Sequence, residues 1–216
     1  MKDLTIVYYT VRKIPSNFNL KVLEYLAKAA RGSFFIAIEQ PETILPSHVQ
    51  IYKNALEGAR RATTKYIAFA EDDVLYTHSH FTHRPSPGVF AYNENVWSIY
   101  TWVTPPIFSY KGRRNMYGLI CERDLFIEAM EERFAKFPDE KTTPIESWSE
   151  PGKYEDNLGV TQQKTKVFYS KDPLVAFSHE TALSFKNLGK RKRLGDLRAV
   201  EVPYWGRAED VIKYYE

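Results

Sequence analysis

The chain is predicted to fold as one α/β domain, a mixed sheet flanked by helices, and three observations predict it. Apolar strand-like runs alternate with helical runs through the first third, the order then shifts to closely spaced strand-like runs, and no repeat or low-complexity segment interrupts either part. A length of 216 residues with 44% hydrophobic and 26% charged residues suits a single globular domain with a real core.

The first run, LTIVYYT at Leu4–Thr10, is rich in β-branched and aromatic residues and reads as a strand buried on both faces. Residues 19–30 follow, with Leu20, Leu23, Leu26, Ala27 and Ala30 at helical spacing, and a glycine at Gly32 precedes a second strand at residues 34–38. Residues 49–62 carry a second helical pattern, and residues 66–70 form a third apolar strand. This β-α-β-α-β order predicts a parallel sheet whose ligands bind beyond the carboxyl ends of the strands. Residues 88–93, 96–103 and 115–122 then read as antiparallel or mixed strands, residues 124–135 as a helix, a short helix begins near residue 154 and runs to about residue 163, and residues 166–170 and 173–179 read as late strands.

Several function classes are excluded or left without support. There is no glycine-rich phosphate loop, no nucleophile elbow and no paired-cysteine motif. The single cysteine, Cys121, agrees with a reducing compartment and reads as a core thiol. The apolar run near the start is too short for a signal peptide core or a membrane span, which predicts a soluble cytoplasmic protein. Net charge is only +3, but cations gather at residues 111–114 (KGRR) and 186–193 (KNLGKRKR), so anions are expected partners.

The third strand ends in Glu71, Asp72 and Asp73. Three adjacent carboxylates repel one another and lose hydration when covered, so the cluster implies a cation, a cationic partner or open solvent. Its place at the carboxyl end of a buried strand favours a site over a solvated acidic turn. His78, His80 and His83 lie just beyond, but no regular secondary structure puts all three on one face, so a loop near the site is expected rather than a zinc centre.

These residues together, with AEDDVLY at residues 70–76, YEDNLGV at 154–160 and AFSHET at 176–181, resemble the GT-A fold glycosyltransferases of the family 2-like type, including small bacteriophage and environmental glycosyltransferases. The resemblance spans nearly the whole chain on motifs that are each short. It implies a GT-A-like, Rossmann-like sheet in which residues 1–184 form the catalytic domain, 1–76 its nucleotide-sugar half and 77–184 its acceptor half, with a basic tail at 185–216 packing on or over the active site. It also implies a hexosyl transfer from a UDP-linked donor, with inversion, assisted by Mn²⁺ or Mg²⁺.

Carried onto this chain, the resemblance makes Asp73 and His179 metal or diphosphate ligands, while Glu71 or Asp72 holds the ribose hydroxyls or a metal-bound water. Asp156 becomes the base that deprotonates the acceptor, with Glu155 behind it, although two acids in a first helical turn equally suit the helix dipole. Tyr9, Thr10 and Arg12 fall in the loop that cradles the base and ribose, and Lys190 and Arg191 would face the departing diphosphate. Trp102, Tyr110, Arg113 and Arg114 are placed where the acceptor approaches. Their mixture of rings and cations admits a hydroxymethylated base in DNA as acceptor beside a carbohydrate. Two rival readings are a nucleotidyltransferase on a similar sheet and a non-catalytic nucleic-acid-binding domain.

Overall fold

The structure, a computed structural model, describes residues 2–10, 14–40, 47–110, 112–138, 149–182 and 194–215. The β-α-β-α-β unit is present as β1 (Leu4–Thr10), α1 (Ser16–Ala29), β2 (Phe34–Glu39), α2 (His48–Arg61) and β3 (Tyr66–Glu71). Strand β1 is buried at all seven positions, and β2 and β3 pair with it in parallel on either side. Ser47 opens α2 by accepting the Gln50 N–H on its hydroxyl at 3.1 Å, and Gly58 lets the helix press onto β1, since a Cβ there would stand 2.2 Å from Val7 Cγ1. Helix α1 buries Phe18, Val22, Leu26 and Ala29. Leu20, expected on that face, is 68% exposed, because the helix starts at Ser16 and Phe18 sets its inward stripe.

After β3 the chain makes a two-residue strand β4 (Val74–Leu75), a single helical turn α3 (His78–Phe81), and strands β5 (Phe90–Asn93), β6 (Val96–Tyr100) and β7 (Phe108–Tyr110). A 3₁₀ turn at Met116–Gly118 leads into β8 (Leu119–Glu122), followed by α4 (Arg123–Lys136), α5 (Glu155–Leu158), β9 (Thr165–Phe168) and β10 (Leu174–Ser178). Helix α5 stops well short of residue 163, because Gly159 turns left-handed at φ 61° and its N–H caps the turn. Residues 197–214 add β11 (Leu197–Ala199), β12 (Glu201–Val202), β13 (Gly206–Arg207), α6 (Ala208–Val211) and a closing 3₁₀ turn at Ile212–Tyr214. The segment read as a basic tail therefore carries short strands and a helical turn between residues 197 and 214.

Two principal sheets result, ordered β2-β1-β3-β8-β5-β9 and β11-β7-β6-β10-β4. The first is parallel at β2-β1-β3 and turns antiparallel at β8, so the mixed α/β architecture is as expected. Alternation along β1 divides the core: Val7 and Tyr9 face α2 and α4, while Leu4, Ile6 and Tyr8 face the layer shared with Val74, Val96, Leu174 and Ala176 of the second sheet. A third cluster packs Phe18 and Val22 of α1 against Phe177, Val202, Ala208 and Val211. Cys121 is buried within β8. Among the described residues no helix is long and apolar enough to cross a membrane.

Candidate active site

The carboxyl ends of β1 and β3 lie side by side, with Tyr9 opposite Glu71 in the register. The chain then passes through Asp72 and Asp73 and enters β4, which pairs antiparallel with β10 so that Val74 meets Ala176. The Phe177 N–H donates to the Asp73 carbonyl at 2.8 Å, locking the acidic turn to β10. Because β10 ends at Ser178, its next residue arrives beside the acids. His179 Nε2 stands 3.4 Å from Asp73 Oδ2, and the ring is buried.

Each carboxylate has a different surrounding. Tyr9 donates its hydroxyl to Glu71 Oε1 at 2.5 Å, and the Glu71 N–H donates to the Tyr76 phenol oxygen at 3.0 Å. Thr10 donates its hydroxyl to Asp72 Oδ2. Burial first, and the neighbouring Asp73 charge second, push Glu71 well above the usual carboxylate range and Asp72 to about 7, with the hydrogen bonds from Tyr9 and Thr10 opposing. Burial and the same acids also raise the phenols of Tyr8, Tyr76 and Tyr117. Glu150 is a fourth acidic side chain, close enough to Glu71 to raise it, and accepts the Met116 N–H on Oε1 at 3.1 Å. Negative charge is thus concentrated where water is scarce.

A divalent cation would relieve that concentration, and the donor set fits one. Asp73 Oδ1 is buried without a hydrogen-bond partner, and an imidazole nitrogen lies beside the same carboxylate. Hard cations take oxygen ligands and are commonly bound by one or two carboxylates plus substrate phosphates. Among the described residues no group of three or more His, Cys, Asp or Glu is gathered to hold a metal alone, so the remaining positions would fall to phosphate and water.

The other expected residues are distributed less tightly. Asp156 is exposed on α5 and accepts from Gln162 Nε2, whereas Glu155 is buried and paired with Arg133 at 2.7 Å, with the Gly152 N–H donating to the same oxygen. Trp102 follows β6 and packs edge-on to Tyr100 at 5.3 Å, at the site end of the second sheet. Tyr110 instead pairs with Trp97, three residues back along β6, or about 10 Å away. Arg113 is exposed and close enough to Tyr117 to lower its phenol against the effect of burial. Arg114 donates Nη1 to Thr165 at 2.9 Å and lends its carbonyl to Lys153. Arg12, Lys190 and Arg191 lie outside the described residues.

The loop expected at the histidines is instead the helical turn α3, and His80 and His83 both stack on the Phe168 ring. His78 Nδ1 contacts the Ala29 carbonyl at 2.9 Å, His80 is buried beside Asn93, and His83 stacks on Phe168 with centroids 3.8 Å apart. Three residues of the site had no sequence signal: Glu150, Thr181 and Tyr215. Thr181 Oγ1 is 2.8 Å from His179 Nδ1, and the Tyr215 ring lies 5.7 Å from the His179 ring. The pairing of β4 with β10 brings His179 and Thr181 to the acids, the closing 3₁₀ turn brings Tyr215 to them, and Glu150 is held through the Met116 N–H.

No protein-family model matches the chain, and no curated protein matches it. Solved structures similar to it over most of its length include two glycosyltransferases. One is a glycosyltransferase involved in glycosylation of the major capsid of PBCV-1, at 12% identity over 80% of this chain and 92% of that one, with a TM-score of 0.48. The other is a mutant Drosophila β1,4-galactosyltransferase 7 in complex with manganese, UDP-Gal and xylobiose, at 10% identity over 89% of this chain and 76% of that one, with a TM-score of 0.44.

Proposed function

We propose that this chain is a metal-dependent glycosyltransferase that moves a sugar from a UDP-linked donor to an acceptor hydroxyl with inversion at the anomeric carbon. One observation carries the reading. The buried, unpartnered Oδ1 of Asp73 and the imidazole of His179 meet at the carboxyl end of a parallel β-α-β-α-β unit, which is where such sheets bind ligands. A bound Mn²⁺ or Mg²⁺ would supply neutralisation of the charge that grows on the departing diphosphate.

The chain's own residues divide the remaining work. Asp73 and His179 hold the cation, and Asp72 and Glu71, steadied by Thr10 and Tyr9, accept hydrogen bonds from the donor's ribose hydroxyls. Arg12, Lys190 and Arg191 are assigned to the donor phosphates from the sequence. Asp156, the exposed acid of its pair, takes the proton of the acceptor hydroxyl as it attacks, a contribution of roughly 10²- to 10⁴-fold. It sits on α5, six residues after Glu150, whose carboxylate is close enough to Glu71 to raise it. Trp102 and Arg113 flank the approach of a carbohydrate acceptor. For a DNA acceptor Arg113 is exposed, whereas Arg114 is engaged with Thr165.

The test is thermal unfolding with a panel of nucleotide sugars, with and without Mn²⁺, followed by mass spectrometry of candidate acceptors. A donor that binds only the folded chain raises its stability by mass action. UDP-sugars should raise the unfolding temperature only with Mn²⁺, and Asp73→Asn should abolish the effect. Absence of any shift, together with steeply salt-dependent DNA binding, would move the chain to the nucleic-acid-binding class. Transfer that is indifferent to Asp156→Asn would point to a nucleotidyltransferase.

A further inference from the structure

A strand at the end of a sheet presents a row of unpaired backbone groups, and folded chains blunt such edges by shortness, charge or cover. The two principal sheets end in β2 and β9 and in β11 and β4. Three of these are blunted: β4 has two residues, both buried, β9 carries the exposed Lys166, and β11 carries the exposed Arg198. Strand β2 is instead six residues long and reads FFIAI before its first charge at Glu39, with Phe34 54% and Phe35 45% exposed. Among the described residues no strand pairs with its outer side.

Helix α1 leaves an apolar flank over the same edge. Its Phe18, Val22 and Tyr25 turn toward the C-terminal cluster, while Leu26 packs on the sheet and Asn19 accepts the Tyr8 phenol at 2.6 Å. At about 100° per residue, Leu20, Leu23 and Ala27 then fall on the flank turned away from that cluster. The second sheet is reached from β3 through β4, so the opposite flank is the one above β2. There Phe35 stacks on the Tyr8 ring with centroids 6.1 Å apart, Ala37 is exposed beside Tyr8 in the register, and Leu20 is 68% exposed.

One operation covers both features. A two-fold axis perpendicular to the sheet, placed outside β2, sets that strand antiparallel to the β2 of a second copy and keeps both α1 helices on one face, where their apolar flanks meet. A foreign strand added to the edge would pair the backbone but leave Leu20 in solvent. The same axis brings the acidic end of β2, at Glu39, toward the basic end of its copy, at Arg31. The ladder alone is a strip about 20 Å long, and the α1 flank widens it toward the roughly 800 Å² per partner of a stable interface. We infer that the chain forms a two-fold dimer with a second copy of itself through the β2 edge and the α1 flank that carries Leu20. The candidate sites at the carboxyl ends of β1 and β3 then open at opposite ends of the joined sheet, so the pairing covers neither.

The test is analytical ultracentrifugation of the full chain between about 1 μM and about 100 μM. The mass should rise from 25.2 kDa toward twice that value. Ala37→Lys, which puts a charge on the edge, and Leu20→Glu, on α1, should each weaken association about tenfold or more. Both positions are exposed, so far-ultraviolet circular dichroism should match the wild type. Should Ala37→Lys fail to fold, Leu20→Glu, which lies outside the sheet, carries the comparison. Hydrogen exchange locates the contact: the β2 amides that do not bond β1 should exchange slowly at about 100 μM and quickly at about 1 μM. A chain still monomeric at about 100 μM, or an assembly larger than a dimer, overturns the proposal. So does a dimer whose β2 amides exchange equally fast at both concentrations, or whose affinity both variants match within about twofold, since its contact then lies elsewhere.

Discussion

Removing the Glu155 side chain should destabilise the fold far more than removing that of its neighbour Asp156, and the structure sets the size of the effect. Arg133 on α4 is 1% exposed and donates Nη2 to Glu155 Oε1 at 2.7 Å and Nη1 to the Ser149 carbonyl. Glu155→Ala leaves that guanidinium buried beside no opposite charge and strips the Gly152 N–H of its acceptor. Breaking a buried pair in this way costs about 3–5 kcal/mol. For a chain of this length each kcal/mol moves the unfolding temperature by about 2–4 °C, so a fall of about 6–20 °C is expected. Urea titration and calorimetry of Glu155→Ala, Arg133→Met and the double variant Arg133→Met/Glu155→Leu measure it. The double variant should recover part of the loss, since an apolar pair avoids the stranded charge yet leaves the Ser149 carbonyl and Gly152 N–H unserved. A loss below about 1 kcal/mol for Glu155→Ala would refute the account of Arg133 as a buried charge that depends on Glu155.

Asp156→Asn should lower sugar transfer roughly 10²- to 10⁴-fold with the unfolding temperature unchanged, because the residue is exposed; steady-state kinetics and a melt check both halves. His80 is buried and its imidazole is pushed down to about 3 by burial, so below pH 6.5 the unfolded chain gains a proton the folded chain refuses. Stability should therefore fall as pH drops from 6.5 toward 3, by about 2 kcal/mol at pH 5, and His80→Leu should flatten that part of the urea-derived profile. Gly58→Ala should cost about 1–3 kcal/mol in denaturant titration, since the new methyl group would sit 2.2 Å from Val7 Cγ1 in a packed layer.

The first half of the fold was legible because its signals are local and redundant. Strand β1 is apolar at nearly every position and buried at all of them, and the helices beside it are long enough for periodicity to show. Where the pattern misled, the register of a single element was at fault: Leu20 was grouped with Leu23 and Leu26, although the structure puts Phe18 and Val22 on the inward stripe. Strands β4, β11, β12 and β13 span two or three residues each, too few to display any period, and they exist only through distant partners. The acids at 71–73 stood out as a candidate site because charge at the end of a buried strand is costly, and the late histidine through the resemblance that AFSHET carries. Glu150, Thr181 and Tyr215 were not, since an isolated acid, threonine or tyrosine in a loop carries no pattern, and their proximity is made by tertiary pairing. The division between Glu155 and Asp156 was equally hidden, for it depends on Arg133 lying across the core.

The passage from one sheet to the other through only Asp72 and Asp73 leaves the chain no slack at its most highly charged point. Glu71 still belongs to the ladder with β1 and Val74 already belongs to the ladder with β10, so the two ladders act as rulers gripping the acids from both ends. One extra residue inserted there would have to bulge out between the two ladders and shift the carboxylate now beside His179, so side chains at that crossing are easier to exchange than its length is to change.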